Sequence, residues 1–363
     1  MKTKTDYLQN KRVCIKPYIY EKPSISAVSI RILILLLLQF ALLILTKSFN
    51  AVIVIFCTTL GALLASIVHY LVIRKNKFLS LTNLIQGIMI GMLLPQNYPP
   101  VTALFISFIT LLIFKYIFET SENFWINIVS VSVLIAYFIG KIYFPDFIIT
   151  TDLFNVKNPS VQLINQGVFP IYDFDVSFTN YLNANILSYF KVTLPQGIIS
   201  MLWDTQSVIP AFRFNLLTII ASIVLFADNS FSLLIPSIFL FVYSLFVRLF
   251  FPYVSGGELN QGDIMLALLT SGTLFVAVFM IQWFGTHPMT VIGKIIYAFT
   301  AGVYAFIVVG GGTSPIGMIY VIVISNIINL LIRQIEEKRM DYLIRKMIHV
   351  NPIDEELINA GNK

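Results

Sequence analysis

The ionisable side chains that could do chemistry in this sequence are few, and several of them stand close to the ends of long apolar runs. An ionised group at membrane depth is costly, so each one needs a partner, a function or a route to the headgroups. Two interpretations stay open: a site for an ion or substrate, or a long side chain whose charge reaches the membrane surface. The residues concerned are Lys115, Arg213, Arg248, Asp263 and Lys294.

Familiar catalytic motifs are absent from the sequence. It contains no paired carboxylates for acid–base work, no cluster of His and Cys, no GxxxxGK phosphate loop and no GxSxG elbow. Cys14 and Cys57 imply neither a disulfide framework nor a CxxC metal site. Hydrolysis, ATP use and metal catalysis therefore lack support, and redox work would need a bound cofactor.

The composition is that of a membrane protein. Of 363 residues, 57% are hydrophobic and only 12% are charged, and the mean hydropathy is +0.84. A soluble domain has about 25% charged residues. This composition excludes a soluble enzyme, a nucleic-acid binder and a disordered scaffold.

The apolar runs predict an all-α integral membrane protein with about ten transmembrane helices, since a span needs roughly 20 apolar residues. Five segments lie on each side of a long loop, 145–212, which is too polar to span a bilayer and too rich in aromatic residues for a linker. The predicted segments are 30–46, 51–73, 79–95, 99–118, 124–144, 213–227, 231–251, 264–282, 290–309 and 315–333.

Charge predicts the topology, because Lys and Arg accumulate in cytoplasmic segments. With both termini inside, most of the 24 Lys and Arg fall on the inside surfaces. We therefore expect a multi-pass protein of the cell inner membrane whose long loop lies outside. The predicted parts are a cytoplasmic tail (1–29), a first five-helix half (30–144), the extracytoplasmic loop (145–212), a second five-helix half (213–333) and a cytoplasmic tail (334–363).

Two halves of five spans must be inverted relative to one another, because five is odd. The third segments, 81–95 and 260–274, both join Asn, Gln and Gly to a Met-containing apolar run. The first is short and ends at Pro95, which is typical either of a broken helix lining a cavity or of a tilted helix with a proline stop. The binding site of such inverted repeats lies at the interface of the halves.

Several motifs, in collinear order over residues 13–340, resemble the D subunit of Rnf-type electron-transport complexes and the related B subunit of sodium-pumping NADH:quinone reductase. Lys16-Pro-Tyr-Ile-Tyr20 resembles that family's Ser-Pro-Tyr-x-His entry to the first span. The run from Leu84 to Pro100 resembles its Leu-Leu-Thr-Gly-Leu-Leu-Leu segment followed by Pro-Pro. Ile113-Phe-Lys-Tyr-Ile-Phe118 is similar to Ile-Ala-Lys-x-x-Phe, and 270–288 is similar to Ser-Gly-Ala-Thr-Met-x-x-x-Phe-Phe with Thr-Asp-Pro.

The resemblance implies FMN bound through a phosphoester to a Thr of the outside loop, in a motif close to Asp-x-x-Ser-x-Ala-Thr, with riboflavin as a further candidate cofactor. The matching stretch is Asp173-Phe-Asp-Val-Ser-Phe-Thr179, so Thr179 is the candidate attachment residue. Ser177 is two residues before Thr179 instead of three, and Phe178 replaces the Ala. An ordinary loop, in which Asp and Ser favour turns, is the alternative interpretation.

Two further departures concern cofactors and charge. The family's Gly-Gly-x-Gly-x-Asn-x-Phe-Asn-Pro-Ala stretch corresponds to 119–129, which keeps Asn123, Phe124 and Asn127 but none of the Gly or Pro. The acid of Thr-Asp-Pro is replaced by His287, which could titrate near neutral pH or be a solvated loop residue. These departures indicate a divergent member that kept the scaffold and lost cofactors.

The resemblance implies a subunit that works with other membrane and peripheral subunits to couple electron transfer to sodium or proton translocation. It would not be catalytic alone, because the sequence has no ferredoxin-type cysteine run and no NADH-binding fingerprint. A cofactor-free channel or transporter for a small solute on the same scaffold is the first alternative. A structural subunit that anchors a partner is the second.

Overall fold

The computed structural model is built from helices. Among the residues that it describes there is no strand, so the all-α prediction is confirmed. The first-span motif from Lys16 to Tyr20, Asn123 and Phe124 lie outside the described residues. These described residues are 24–73, 81–117, 125–146, 153, 156, 158–227, 230–255, 262–312 and 314–350.

Each apolar segment predicted before the long loop contains a helix. Ser24 caps the first of them, since its hydroxyl accepts a hydrogen bond from the Ala27 amide at 3.3 Å. The fourth has proline at its first position, where no backbone donor is needed. The helices are α1 (Ile25–Leu45), α2 (Phe49–Ile73), α3 (Leu81–Leu93), α4 (Pro100–Leu111, continued by a π-helical stretch over Leu112–Ile117) and α5 (Ile128–Ile139).

The long loop is also helical. Its described helices are short, and the longest of them, Asp173–Asn185, is far more polar than the apolar helices on either side. Single-turn 3-10 segments occur at Leu187–Phe190 and Pro210–Phe212. The helices of the loop are α6 (Pro159–Asn165), α7 (Asp173–Asn185) and α8 (Ile198–Trp203).

The segments predicted after the loop are helical too, but the third one is interrupted. Gly272 has φ +67° between two short helices, and a Cβ at this position would overlap the ring of Phe212. Only glycine suits such a close approach with a left-handed backbone. The helices are α9 (Asn215–Ala227), α10 (Leu234–Ser255), α11 (Ile264–Thr270), α12 (Thr273–Phe275, π-helical over Val276–Met280), α13 (Val291–Val309) and α14 (Gly317–Val350).

Within the described part of the chain, five helices are long and apolar enough to cross a membrane: α1, α2, α10, α13 and α14. Shorter apolar helices accompany them at Leu81–Leu93, Pro100–Phe114, Ile128–Ile139 and Asn215–Ala227. The chain is therefore a multi-pass membrane protein by length and composition. The count of ten spans, the division of the sequence into five parts and the side on which each terminus lies stay predictions.

The two halves share a packing arrangement. The second helix of each half runs along the fourth, as α2 along α4 and α10 along α13. Glycine permits close approach in both: a Cβ at Gly302 of α13 would lie 2.9 Å from the Val242 Cβ, and one at Gly61 of α2 would overlap the Ser107 hydroxyl of α4. One continuous hydrophobic core joins the helices of both halves. This likeness agrees with an internal repeat, whose inverted orientation stays a prediction.

Candidate functional site

The long loop contains a compact polar cluster centred on Asp175, whose side chain is fully buried. Its Oδ1 accepts a hydrogen bond from the Thr179 hydroxyl at 2.6 Å. Its Oδ2 accepts from the Gly197 amide at 2.9 Å, the Ser200 amide at 2.8 Å and the Ser200 hydroxyl at 2.6 Å. The carboxylate thus joins α7 to the start of α8.

The spacing along α7 explains why these residues meet. Asp175 and Thr179 are four residues apart, so they lie on the same face of the helix, and that face is buried. Asp173 and Ser177, the other members of the predicted motif, lie on the exposed face. There the Ser177 hydroxyl donates to the Asp173 carbonyl at 3.4 Å. The structure therefore brings Thr179 to Asp175 and places the two other motif residues elsewhere.

The hydrogen bonds decide the charge state of Asp175. Burial by itself would raise the pKa of this carboxyl, but the donors aimed at it outweigh burial and leave the pKa below its ordinary value. Asp175 is therefore an anion at neutral pH. Its negative charge is neutralised by backbone and hydroxyl donors with no cation among the contacts that the structure describes.

The position of Thr179 tests whether a phosphoester-linked FMN fits. The side chain of Thr179 is fully buried, and its hydroxyl already donates a hydrogen bond to Asp175. A phosphoester on that oxygen would remove the donor and bring a second negative charge against a buried carboxylate. The residues as arranged do not fit the group. FMN attachment at Thr179 would require α7 to turn its buried face outward. The attachment stays a prediction.

The ionisable residues near the segment ends have varied surroundings. Arg213 is 7% exposed, and both carboxylate oxygens of Asp204 accept from its guanidinium, at 2.9 and 2.5 Å. The same guanidinium donates to the Ser48 hydroxyl at 2.5 Å, which ties the loop to the turn between α1 and α2. A charge reaching for the membrane surface is therefore the wrong interpretation for Arg213, because its charge is buried and paired.

Asp263 is also a structural residue. Its Oδ1 accepts from the Leu266 amide at 3.1 Å and caps α11, and its Oδ2 accepts from the Ser160 amide at 2.8 Å at the start of α6. Arg248 donates to the Gly262 carbonyl at 3.1 Å. Lys294 is half-buried, and the Lys115 side chain lies outside the described residues.

His287 lies in the turn between α12 and α13 and is half-buried. Burial lowers its pKa, and the positive charges of Lys294 and Arg333 lower it further, so the neutral imidazole prevails at pH 7. Its Nδ1 lies 2.9 Å from the Pro288 carbonyl oxygen, and its own carbonyl accepts from Arg333 at 3.2 Å. A freely solvated loop residue is therefore the wrong interpretation.

Asn127, in the stretch 119–129 that lacks the Gly and Pro of the resembled motif, has a structural role. The Oδ1 of Asn127 accepts from the Val129 amide at 3.0 Å and caps α5. Its Nδ2 donates to the Met280 carbonyl at 3.2 Å, in the π-helical part of α12. This fully buried amide thus links the two halves.

Sequence reasoning missed a set of polar residues on α14. Ser325, Asn326 and Asn329 are fully buried in the middle of a helix that is long enough to cross a membrane. The sequence signal was available, because two Asn three residues apart interrupt an apolar run and share one helix face. Gln86 of α3 is a further buried polar residue, and its Oε1 has no partner within the described chain.

Comparison with known proteins agrees with the resemblance drawn from the motifs. A search of curated proteins finds no match. The model of the NQR2, RnfD, RnfE family matches residues 12–341, which include all helices described above except the end of α14. The match covers most of the chain and both halves. The protein belongs to the NQR2, RnfD, RnfE family.

Proposed function

We propose that this chain is the D-type membrane subunit of an Rnf-type complex and that it couples electron transfer to sodium or proton translocation. The observation that carries the proposal is the family match over residues 12–341 of a multi-pass helical protein. The family is consistent with a membrane subunit of an ion-translocating electron-transport complex. Moving one charge against 100 mV costs about 2.3 kcal/mol, which the electron transfer must supply.

The side chains of this protein suit ion translocation better than electron transfer. Gln86 of α3, a buried polar residue inside the bundle, is the kind of residue that marks a path through a membrane protein. The electron carriers belong to partner subunits in this proposal, because the sequence has no cysteine set for iron–sulfur clusters. We further propose that the complex lies in the cell inner membrane, with both termini of this chain cytoplasmic.

Inverted membrane vesicles from the host provide the test. We expect vesicles from cells that lack this chain to lose ion uptake driven by NADH or reduced ferredoxin, and a plasmid copy to restore it. An ionophore control distinguishes loss of coupling from leak. Equal uptake with and without the chain would overturn the proposal.

A cofactor-free channel or transporter is the second candidate, and the burial of the Thr179 hydroxyl against Asp175 favours it. In-gel ultraviolet fluorescence of the denatured protein, purified from its own host, tests whether the chain carries a covalent flavin, which would exclude the cofactor-free candidate. Fluorescence that disappears in Thr179→Ala would establish a covalent flavin at this position. A dark wild-type band would remove the covalent flavin, and uptake of a solute by proteoliposomes would then support the second candidate.

A further inference from the structure

The buried face of α14 has hydrogen-bonding groups that the protein leaves unused. Asn326 and Asn329 each have 0% of their surface exposed, and so has Ser325. Neither the Nδ2 nor the Oδ1 of either Asn has a partner within the described residues, and the Ser325 hydroxyl has none either. Such groups are expensive to bury, so a bound molecule that satisfies them is the expected explanation.

Other buried amides in the protein behave differently. Asn215 donates to the carbonyls of Met201 and Leu269, at 3.2 and 2.9 Å. Gln282 accepts from the Ser232 amide at 2.9 Å and donates to its carbonyl at 2.7 Å. These amides are satisfied by backbone groups of other segments and need no ligand. The face of α14 is unusual because both ends of two neighbouring amides are free.

The chemistry of the free groups selects the ligand. Each carboxamide offers two donors and one acceptor, so the ligand must accept and donate hydrogen bonds at once. A metal cation would satisfy the two oxygens and leave the NH₂ groups unpaired. An anion would do the reverse. Water does both, and buried waters in proteins make about three hydrogen bonds each.

Arg333 adds an electrostatic argument. It lies four residues after Asn329 and seven after Asn326, on the same side of α14 and within roughly 10 Å along the axis. Its Nη2 donates to the His287 carbonyl at 3.2 Å, while its Nε is buried with no partner in the described chain. A permanent positive charge at this distance, inside a protein, disfavours a second cation.

We infer that Ser325, Asn326 and Asn329 form a water-binding site in the membrane bundle and that Arg333 makes this site unfavourable for metal cations. A translocated metal ion, if this chain conducts one, takes a route away from this face. The site holds whether or not the protein works in electron transport.

A density map of the full chain in lipid nanodiscs, at a resolution that reveals ordered water, is the direct test. We expect separate peaks within hydrogen-bonding distance of the Asn326 and Asn329 carboxamides. A dry site in such a map, a metal ion with short contacts to the oxygens, or continuous density for an organic molecule would each overturn the inference.

Thermal unfolding provides a second, independent test. The wild type and the double variant Asn326→Leu/Asn329→Leu are each unfolded in sodium chloride and in choline chloride. We expect the wild type and the variant to respond equally to the exchange of salts. A sodium-dependent rise in Tm that the variant loses would reveal a cation site and contradict the inference. Asn215→Leu is the matched control, because its amide is already satisfied by protein carbonyls.

Discussion

The Asp175 cluster of the long loop and the buried face of α14 are both polar and both removed from solvent, but their hydrogen bonding is opposite. Asp175 accepts four hydrogen bonds from side chains and backbone within 30 residues of the chain. Asn326 and Asn329 have none from the described residues. A saturated cluster stabilises the fold, whereas an unsaturated one needs a ligand. The difference separates polar residues that hold the loop together from polar residues available for function.

Asp175→Ala is the change with the largest expected effect. It leaves two backbone amides and two hydroxyls buried without an acceptor, at about 1–3 kcal/mol each, so we expect a loss of stability of at least about 3 kcal/mol. Thermal unfolding and limited proteolysis of the long loop measure this loss of stability. Asp173→Ala, on the exposed face of the same helix, is the control. Equal losses of stability in the two variants would contradict a stabilising role for the Asp175 cluster.

Acid provides a second way to break the cluster. The pKa of Asp175 in the folded protein is below its ordinary value of about 3.9. The stabilisation from this group is therefore complete above about pH 4 and is lost as the pH falls through the folded pKa. We expect Asp175→Asn to remove part of the fall in Tm below pH 4. If Tm falls equally steeply below pH 4 in the wild type and in Asp175→Asn, groups other than Asp175 cause the loss of stability in acid.

Asn215→Leu tests a satisfied amide inside the bundle. The change leaves the carbonyls of Met201 and Leu269 without this donor, and interhelix hydrogen bonds in membranes contribute up to about 1.7 kcal/mol. We expect a destabilisation of about 1–2 kcal/mol, measured by thermal unfolding in detergent. A neutral result would mean that the amide contributes little even where it is fully partnered.

Thr179→Val removes one of the four donors to Asp175 and keeps the shape of the side chain. Three donors remain, so we expect a loss of about 1 kcal/mol. Thr179→Ser keeps the hydroxyl and is the matched control. An effect as large as that of Asp175→Ala would contradict the view that the carboxylate is the centre.

The double change Asn326→Leu/Asn329→Leu has the smallest expected effect. Amides that are satisfied by water contribute little net stability, so we expect a change below about 1 kcal/mol. Dry amides would each cost about 1–3 kcal/mol, and their removal would stabilise the protein by several kcal/mol. Such a stabilisation would remove the contrast between the two regions.

The fold was predictable where it follows from apolar periodicity and length, since every predicted apolar segment contains a helix. The break at Gly272 was not foreseen, because a left-handed backbone against the Phe212 ring depends on tertiary contact. Thr179 was named from a motif, but its hydrogen bond to Asp175 was not foreseen, because it depends on the stretch being helical. Asp204 and Arg213 are nine residues apart in an irregular segment, where spacing alone predicts no pairing.

The proposal that this protein is the ion-translocating membrane subunit of an electron-transport complex can be tested directly. The most direct measurement is affinity purification of the chain from its own host, followed by reconstitution into proteoliposomes and addition of NADH or reduced ferredoxin. We predict that redox subunits copurify and that electron donation drives ion uptake sensitive to an ionophore. A chain that purifies alone and moves no ions on electron donation, from membranes where the donor is oxidised, would contradict the claim.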